Sequence, residues 1–168
     1  MSSEQDERER TAALRGYGVL DTPNEPEFDA IVREAASYFG SPIALISLVD
    51  SHRQWFKARV GLDVQEMPRT ISFCTHAIRT AEVMTVPDAR ADERFKANPL
   101  VTGDPNIRFY AGAPLRTPGG KRIGTLCVID SRPRPRLSDA DAARLQSLAD
   151  RTVALFEERS RRAAILAA

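Results

Sequence analysis

The sequence predicts an α+β fold organised around a central antiparallel β-sheet. Three observations lead there. Two pairs of β-rich segments are each joined by a short polar turn, the sequence form of adjacent antiparallel strands. Stretches with a helical repeat of apolar residues precede the first pair and follow the second. The chain also has 168 residues with 42% hydrophobic and 28% charged side chains, which is material for one core with little room for a second domain.

Taken in order, residues 4–16 read as a helix, charged around Ala12, Ala13 and Leu14 and stopped by Gly16. Tyr17-Gly18-Val19-Leu20-Asp21-Thr22-Pro23 forms an extended link and turn. Phe28, Ile31, Val32, Ala35 and Phe39 then share one stripe of an amphipathic helix, and Gly40 ends it in the usual C-terminal position. Pro42 to Asp50 is continuous, apolar and β-rich, the pattern of a central strand buried on both faces. Asp50-Ser51-His52-Arg53 turns the chain. From Gln54 to Val60 the residues alternate. Phe56, Ala58 and Val60 fall on one face and Trp55, Lys57 and Arg59 on the other, so a half-solvated second strand is expected.

Gly61 to Ser72 is irregular, with Pro68 as a breaker. Ser72 is placed to cap a helix from Phe73 through Cys74, His76, Ala77 and Ile78. Val83 to Val86 is a short strand. Pro87 to Gly103 is a long polar segment with a short helix expected around Asp92 to Ala97. Loops of that length inside a compact domain are often lids. Arg108 to Arg116 and Arg122 to Asp130 make the second hairpin, across the turn Thr117-Pro118-Gly119-Gly120-Lys121. The connector Ser131 to Arg136 alternates Arg132, Arg134 and Arg136 with proline and reads as a solvated linker. Ser138-Asp139-Ala140-Asp141 has the form of a helix start. Leu145, Leu148, Ala149, Thr152, Val153, Leu155 and Phe156 give the final helix a broad apolar stripe. Past Phe156 the chain turns charged and projects into solvent or against a partner. Hairpins make the sheet antiparallel, and the amphipathic helices must cover its faces.

Composition narrows the function. Lys plus Arg is 24 and Asp plus Glu is 23, a formal net charge of +1. That balance supplies no global pull toward nucleic acid or an anionic membrane, so neither is expected as a partner. No apolar run approaches bilayer length, and the charged, polar start from Met1 to Arg10 is unlike a secretory signal. A cytoplasmic protein is expected. Its two cysteines, Cys74 and Cys127, then read as free thiols without metal-site spacing. A chain ending at Ala168 carries no kinase, cyclase or DNA-binding segment. Its output would pass through another polypeptide or through a longer protein of which it is a part.

Four groups of residues invite chemistry. Cys74 lies beside His76 at a helix start, which suits a low-pKa nucleophile or redox centre and equally a small buried plug under a helix. His76 has no partner at metal or haem spacing. Asp88, Arg108 and the 98–104 loop offer polar groups, which read most simply as a solvated surface pair. No glycine-rich phosphate cradle accompanies them, and Gly119-Gly120 is a hairpin turn. In the strand at 109–113, Phe109, Ala111 and Ala113 share one side and Tyr110 and Gly112 the other. Its small residues leave room either for a ligand or for close helix packing. Trp55 and Phe56 are core or interface aromatics.

Taken together, the motifs resemble those of GAF domains, in particular the bacterial subgroup found singly or ahead of histidine kinases and diguanylate cyclases. The resemblance rests on residues 17–22 (Tyr17-Gly18-Val19-Leu20-Asp21-Thr22), 44–50, Arg53-Gln54-Trp55-Phe56-Lys57-Ala58 and Ser72-Phe73-Cys74-Thr75-His76-Ala77-Ile78. It continues through Val86-Pro87-Asp88-Ala89, residues 108–115 and residues 123–130, and covers about 14–158. It implies terminal helices on one face of the sheet. On the other face it implies a ligand pocket under a cover made of the helix at Phe73 and the 87–103 loop. The candidate pocket residues are Phe73, Cys74, His76, Asp88, Phe95, Phe109, Tyr110, Ala111 and Cys127.

The resemblance further implies an N-terminal helix and link over 1–23 that dimerises, the GAF domain proper over 24–158, and the end of a signalling helix over 159–168. The expected function is a regulatory sensor that binds an unidentified small molecule and acts as a homodimer, with a separate kinase or cyclase effector. Two alternatives stay open: a thiol redox sensor or free methionine-R-sulfoxide reductase-like enzyme using Cys74, and a dimerisation module with a vestigial pocket. The reductases resemble this chain at Cys74, but the 87–103 loop lacks the catalytic thiol expected there, so no enzyme is expected. Phytochrome-like members attach a bilin to a later cysteine, often followed directly by His. Cys74 comes early and is followed by Thr75, so no metal, haem or bilin is expected as a cofactor.

Overall fold

The computed structural model describes residues 3–167. Met1 and Ser2 of the 1–23 segment, and Ala168 of the 159–168 segment, lie outside the described residues. Helix α1 (Glu4–Gly16) starts at a reciprocal cap in which Ser3 and Asp6 each accept from the other's backbone N–H. Helix α2 (Pro26–Phe39) begins with a proline in its first turn and ends at Gly40, whose φ of 57° is the left-handed cap that glycine adopts at low cost. The strands are β1 (Ile43–Val49), β2 (Arg53–Val60), β3 (Glu66–Pro68), β4 (Met84–Val86), β5 (Phe109–Arg116) and β6 (Arg122–Asp130). Two short helices lie between strands, α3 (Cys74–Ala77) and α4 (Pro99–Thr102), and α5 (Asp139–Ala167) closes the chain.

The six strands form one antiparallel sheet in the order β3-β2-β1-β6-β5-β4. Both expected hairpins are present, and the central pair β1–β6 joins them. Helices α1, α2 and α5 pack on one face. Phe28, Ile31, Val32 and Ala35 from α2 meet Leu145, Leu148, Ala149 and Phe156 from α5 over Ala44, Ile46 and Leu48 of β1. Phe28 and Phe156 stack with ring centroids 5.0 Å apart. The opposite face carries α3, α4 and the connecting segments, packed over Leu45, Phe56, Tyr110 and Cys127.

Strand β2 departs from its sequence pattern. A bulge falls between Ile46 and Ser47, which pair with Ala58 and Phe56 and leave Lys57 unopposed. The extra residue reverses the alternation, so Trp55 and Ala58 face the helices while Phe56 faces the cover. The strand is also not half-solvated, because residues 54–58 are buried. Lys57 is fully buried, and its ammonium is satisfied by Thr22 Oγ1 at 2.9 Å, the Pro23 carbonyl at 2.7 Å and Glu25 Oε2 at 2.5 Å. Arg159 of α5 donates to the same carboxylate at 2.9 Å. Burial raises the Glu25 carboxyl, but the Lys57 and Arg159 hydrogen bonds outweigh it and hold the group below its ordinary range.

Elsewhere the irregular 61–72 segment contains β3, a three-residue edge strand against β2. The helix expected at 92–97 is a hydrogen-bonded turn in which Phe95 and Lys96 N–H donate to Asp92 O, and the regular turn comes later, at α4. Asn98 caps α4 through its side chain, and Pro99 begins it. Arg134 is a clamp within the Pro/Arg connector. It pairs with Asp130 at 2.6 Å and donates to the carbonyls of Phe39 and Gly40, while Arg132 and Arg136 are exposed.

Candidate functional site

Between the sheet and the cover lies a narrow crevice with about 20 Å³ of free space, room for roughly one water. Its floor is Leu45, Tyr110 and Cys127, and its walls are Phe56 from β2 and Phe73 and Cys74 from the cover. Leu62, Met67, Leu100 and Pro105 form the rim. The lining is predominantly apolar, so specificity falls to the few polar atoms at its base.

Those atoms form one buried cluster. Ser47 and Thr125 lie opposite each other on β1 and β6, and both are fully buried. Thr125 Oγ1 donates to Cys74 Sγ at 3.1 Å, and the Tyr110 hydroxyl lies 3.1 Å from the same sulfur. Tyr110 reaches this position across Gly112. A Cβ at Gly112 would sit 2.3 Å from the phenolic oxygen, so only glycine leaves the ring its place. Burial by itself raises the Cys74 thiol. Hydrogen bonds from Cys127, Thr125 and Tyr110 outweigh that and bring it down to about 6. Cys127 shifts the opposite way, because it hydrogen-bonds to the Cys74 sulfur, is buried, and faces that sulfur's negative charge. Of the two, Cys74 ionises first. Among the described residues, Ser47 Oγ is a buried side-chain oxygen that makes no hydrogen bond of ordinary geometry.

The predicted pocket residues separate into four places. Phe73, Cys74, Tyr110 and Cys127 line the crevice. Phe95 and His76 form a layer behind it. Phe95 stacks on Phe73 with centroids 4.0 Å apart and planes 5° from parallel, and His76 meets Phe95 edge-on at 4.9 Å. His76 is lowered from its ordinary value by partial burial and by the nearby Arg79 and Arg94, against an opposing contribution from Asp92. Phe109 and Ala111 are placed elsewhere. They face α5 in the helix-side core, since β5 alternates and its Tyr110 side took the crevice. Asp88 is also displaced. It caps the turn at Ala89–Ala91 and pairs with Arg90 at 2.8 Å, while Arg108 donates to the carbonyls of Val101 and Ile107.

Sequence reasoning missed Ser47, Thr125, the rim residues and Gln54, which also lines the crevice. Ser47 and Thr125 had a readable signal, as lone polar residues inside otherwise apolar strands. The rim had none, because Met67 and Leu100 lie in elements too short to show a period and Leu62 and Pro105 lie outside any helix or strand. Among the described residues no three His, Cys, Asp or Glu side chains converge as a metal set. An open groove of about 910 Å³ at the β5–β6 turn is lined by charges, of which Glu7 pairs with Arg10 and Arg69 and Lys121 with Glu9, while Arg122 donates to the carbonyls of Ile78 and Arg79.

The family model described as "GAF domain" matches residues 24–154. The chain belongs to the GAF domain family. This GAF domain is 48% identical over 145 residues to the cyclic di-GMP phosphodiesterase PA2567 of Pseudomonas aeruginosa. That match covers 86% of the chain and 25% of the relative, so the chain spans about a quarter of that protein's length. Among solved structures, the GAF domain of a phosphoenolpyruvate-protein phosphotransferase from Coxiella burnetii superposes with TM-score 0.69 at 15% identity, covering 97% of this chain and 99% of that one. Free methionine-R-sulfoxide reductase from Neisseria meningitidis, in complex with its substrate, superposes with TM-score 0.65 at 21% identity, covering 97% and 96%. Both likenesses are of fold. The expected α+β GAF architecture, with three helices on one face of the sheet and a cover on the other, is the one the chain adopts. No helix among the described residues is long and apolar enough to cross a membrane.

Proposed function

We propose that this GAF domain is a cytoplasmic regulatory input module whose crevice takes a small ligand and whose terminal helices pair with a second copy. The observation that carries this reading is the crevice itself, an apolar slot with buried polar atoms at its base, one of them unpartnered. Apolar contact supplies affinity in such a site and a lone polar atom supplies orientation. Free space of about 20 Å³ excludes a nucleotide or tetrapyrrole while the cover is closed. A larger ligand therefore needs the rim of Leu62, Met67, Leu100 and Pro105 to move. A ligand that favours the open cover would shift the population of helix arrangements, and α5 would carry that shift outward. The similarity to a cyclic di-GMP phosphodiesterase supports an effector that turns over a cyclic dinucleotide. A kinase or cyclase effector is the alternative output. An enzymatic role of the reductase kind is disfavoured, because residues 87–103 contain no cysteine and Cys127 lies in the sheet beneath Cys74.

Native mass spectrometry of freshly purified protein tests the reading. A dimer carrying extra non-covalent mass is expected, with the extra mass lost in a Phe56→Trp variant that fills the slot. A monomer without retained mass, unaltered by Phe56→Trp or by truncation after Phe156, would overturn it.

A further inference from the structure

The chain has two cysteines, one on the cover and one on the sheet, and the fold brings both sulfurs to the base of one crevice. Helix α3 rests on β5 and β6 and holds Cys74 above Cys127. The surroundings are not those of two inert plugs. Thr125 and Tyr110 each place a hydroxyl 3.1 Å from Cys74 Sγ, and Ser47 Oγ is buried beside them without a partner. Two buried hydroxyls on one sulfur are placed to stabilise charge on it. The free space beside the pair holds about one water, so a molecule of two oxygens enters as the rim of Leu62, Met67, Leu100 and Pro105 moves.

We propose that Cys74 and Cys127 form an oxidisable dithiol, in which hydrogen peroxide entering the crevice converts Cys74 to a sulfenic acid and Cys127 then closes it into a disulfide. In the first step the Cys74 sulfur attacks one peroxide oxygen. The O–O bond breaks, and the departing hydroxide takes the thiol's proton to leave as water. In the second step the Cys127 sulfur attacks the sulfenyl sulfur. The S–O bond breaks, the S–S bond forms, and the hydroxide leaves as water with the Cys127 proton. Two thiols and one peroxide give one disulfide and two waters, each sulfur losing one electron. The roles follow from the hydrogen bonds: the donors converge on Cys74, which makes it the attacking sulfur, and Cys127 is the resolving one. A disulfide holds its two Cα atoms about 4.4–6.8 Å apart, so oxidation pins α3 to β6 and locks the cover. This inference is independent of the ligand reading, because a domain that binds nothing can still be oxidised.

The test is titration of the full chain with hydrogen peroxide, read by intact mass, thiol count and peptide mapping. The expected result is a loss of two hydrogens, a fall from two free thiols to none, and a peptide pair joined through Cys74 and Cys127. The Cys127→Ser variant should stop at a sulfenic acid on Cys74 that dimedone captures, and Cys74→Ser should leave Cys127 unreacted. Thr125→Val, which keeps both cysteines, should slow the first step. Two free thiols persisting in folded, peroxide-treated protein would overturn the proposal, as would a disulfide between chains. The wild-type peptide map decides the matter even if a cysteine variant does not fold.

Discussion

Polarity is buried on both faces of the sheet, but it is treated differently on each. On the helix side, Lys57 has three oxygen partners, and Thr152 donates to the Leu148 carbonyl at 2.9 Å. On the cover side, Ser47 makes no hydrogen bond, and a thiol prone to ionise sits among apolar residues. The helix side is assembled from elements of 13, 14 and 29 residues, which deliver whole apolar stripes to the core. The cover is assembled from helices of four residues, which cannot. A face built from long elements can satisfy its polar groups and still pack. The cover face retains unsatisfied polarity and free space, as a site needs.

The comparison breaks first if the two aromatic stacks prove equivalent. Phe28→Ala should cost roughly 3–5 kcal/mol, since the rigid helix face cannot collapse around the lost ring. Phe95→Ala should cost less, about 3 kcal/mol, because the crevice and its rim can relax into the space. Denaturant midpoints measured side by side check this, and equal losses would remove the distinction. Next in size is Glu25→Ala, which leaves the Lys57 ammonium buried with only Thr22 and Pro23 and should cost about 2–3 kcal/mol. Loss of less than half that amount would mean that Lys57 escapes to solvent.

Gly112→Ala sharpens the contrast from the site side. Its methyl group displaces the Tyr110 ring, at a cost of roughly 1–3 kcal/mol. It should also return Cys74 toward ordinary thiol reactivity, read as the pH dependence of alkylation. Stability loss with an unchanged thiol profile would separate Tyr110 from the cluster. The smallest effect belongs to Ser47→Ala, which removes an unpartnered hydroxyl and should change stability by less than about 1 kcal/mol, in either direction. If it destabilises the domain by more, Ser47 has a partner that the closed structure hides.

The long elements and the hairpins are legible in local sequence pattern. The stripe Phe28, Ile31, Val32, Ala35 is buried as its spacing requires, and the 117–121 turn joins β5 to β6. The continuous apolar run at 43–49 is a central strand buried on both faces. The sequence also brought Cys74, Phe73, Tyr110 and Cys127 forward as candidates. Tertiary structure alone decided which face each strand residue occupies. Alternation separates Tyr110 from Phe109 and Ala111 but is silent on which side holds the crevice, and the bulge at Lys57 inverts Phe56 relative to Ala58. Tertiary structure also decided that two thiols 53 positions apart (127 − 74) share one buried cluster with Ser47 and Thr125. Local periodicity reports a residue's neighbours along its own element. Contacts between a cover helix and a sheet depend on register and strand order, and those are set by the packing of the whole chain.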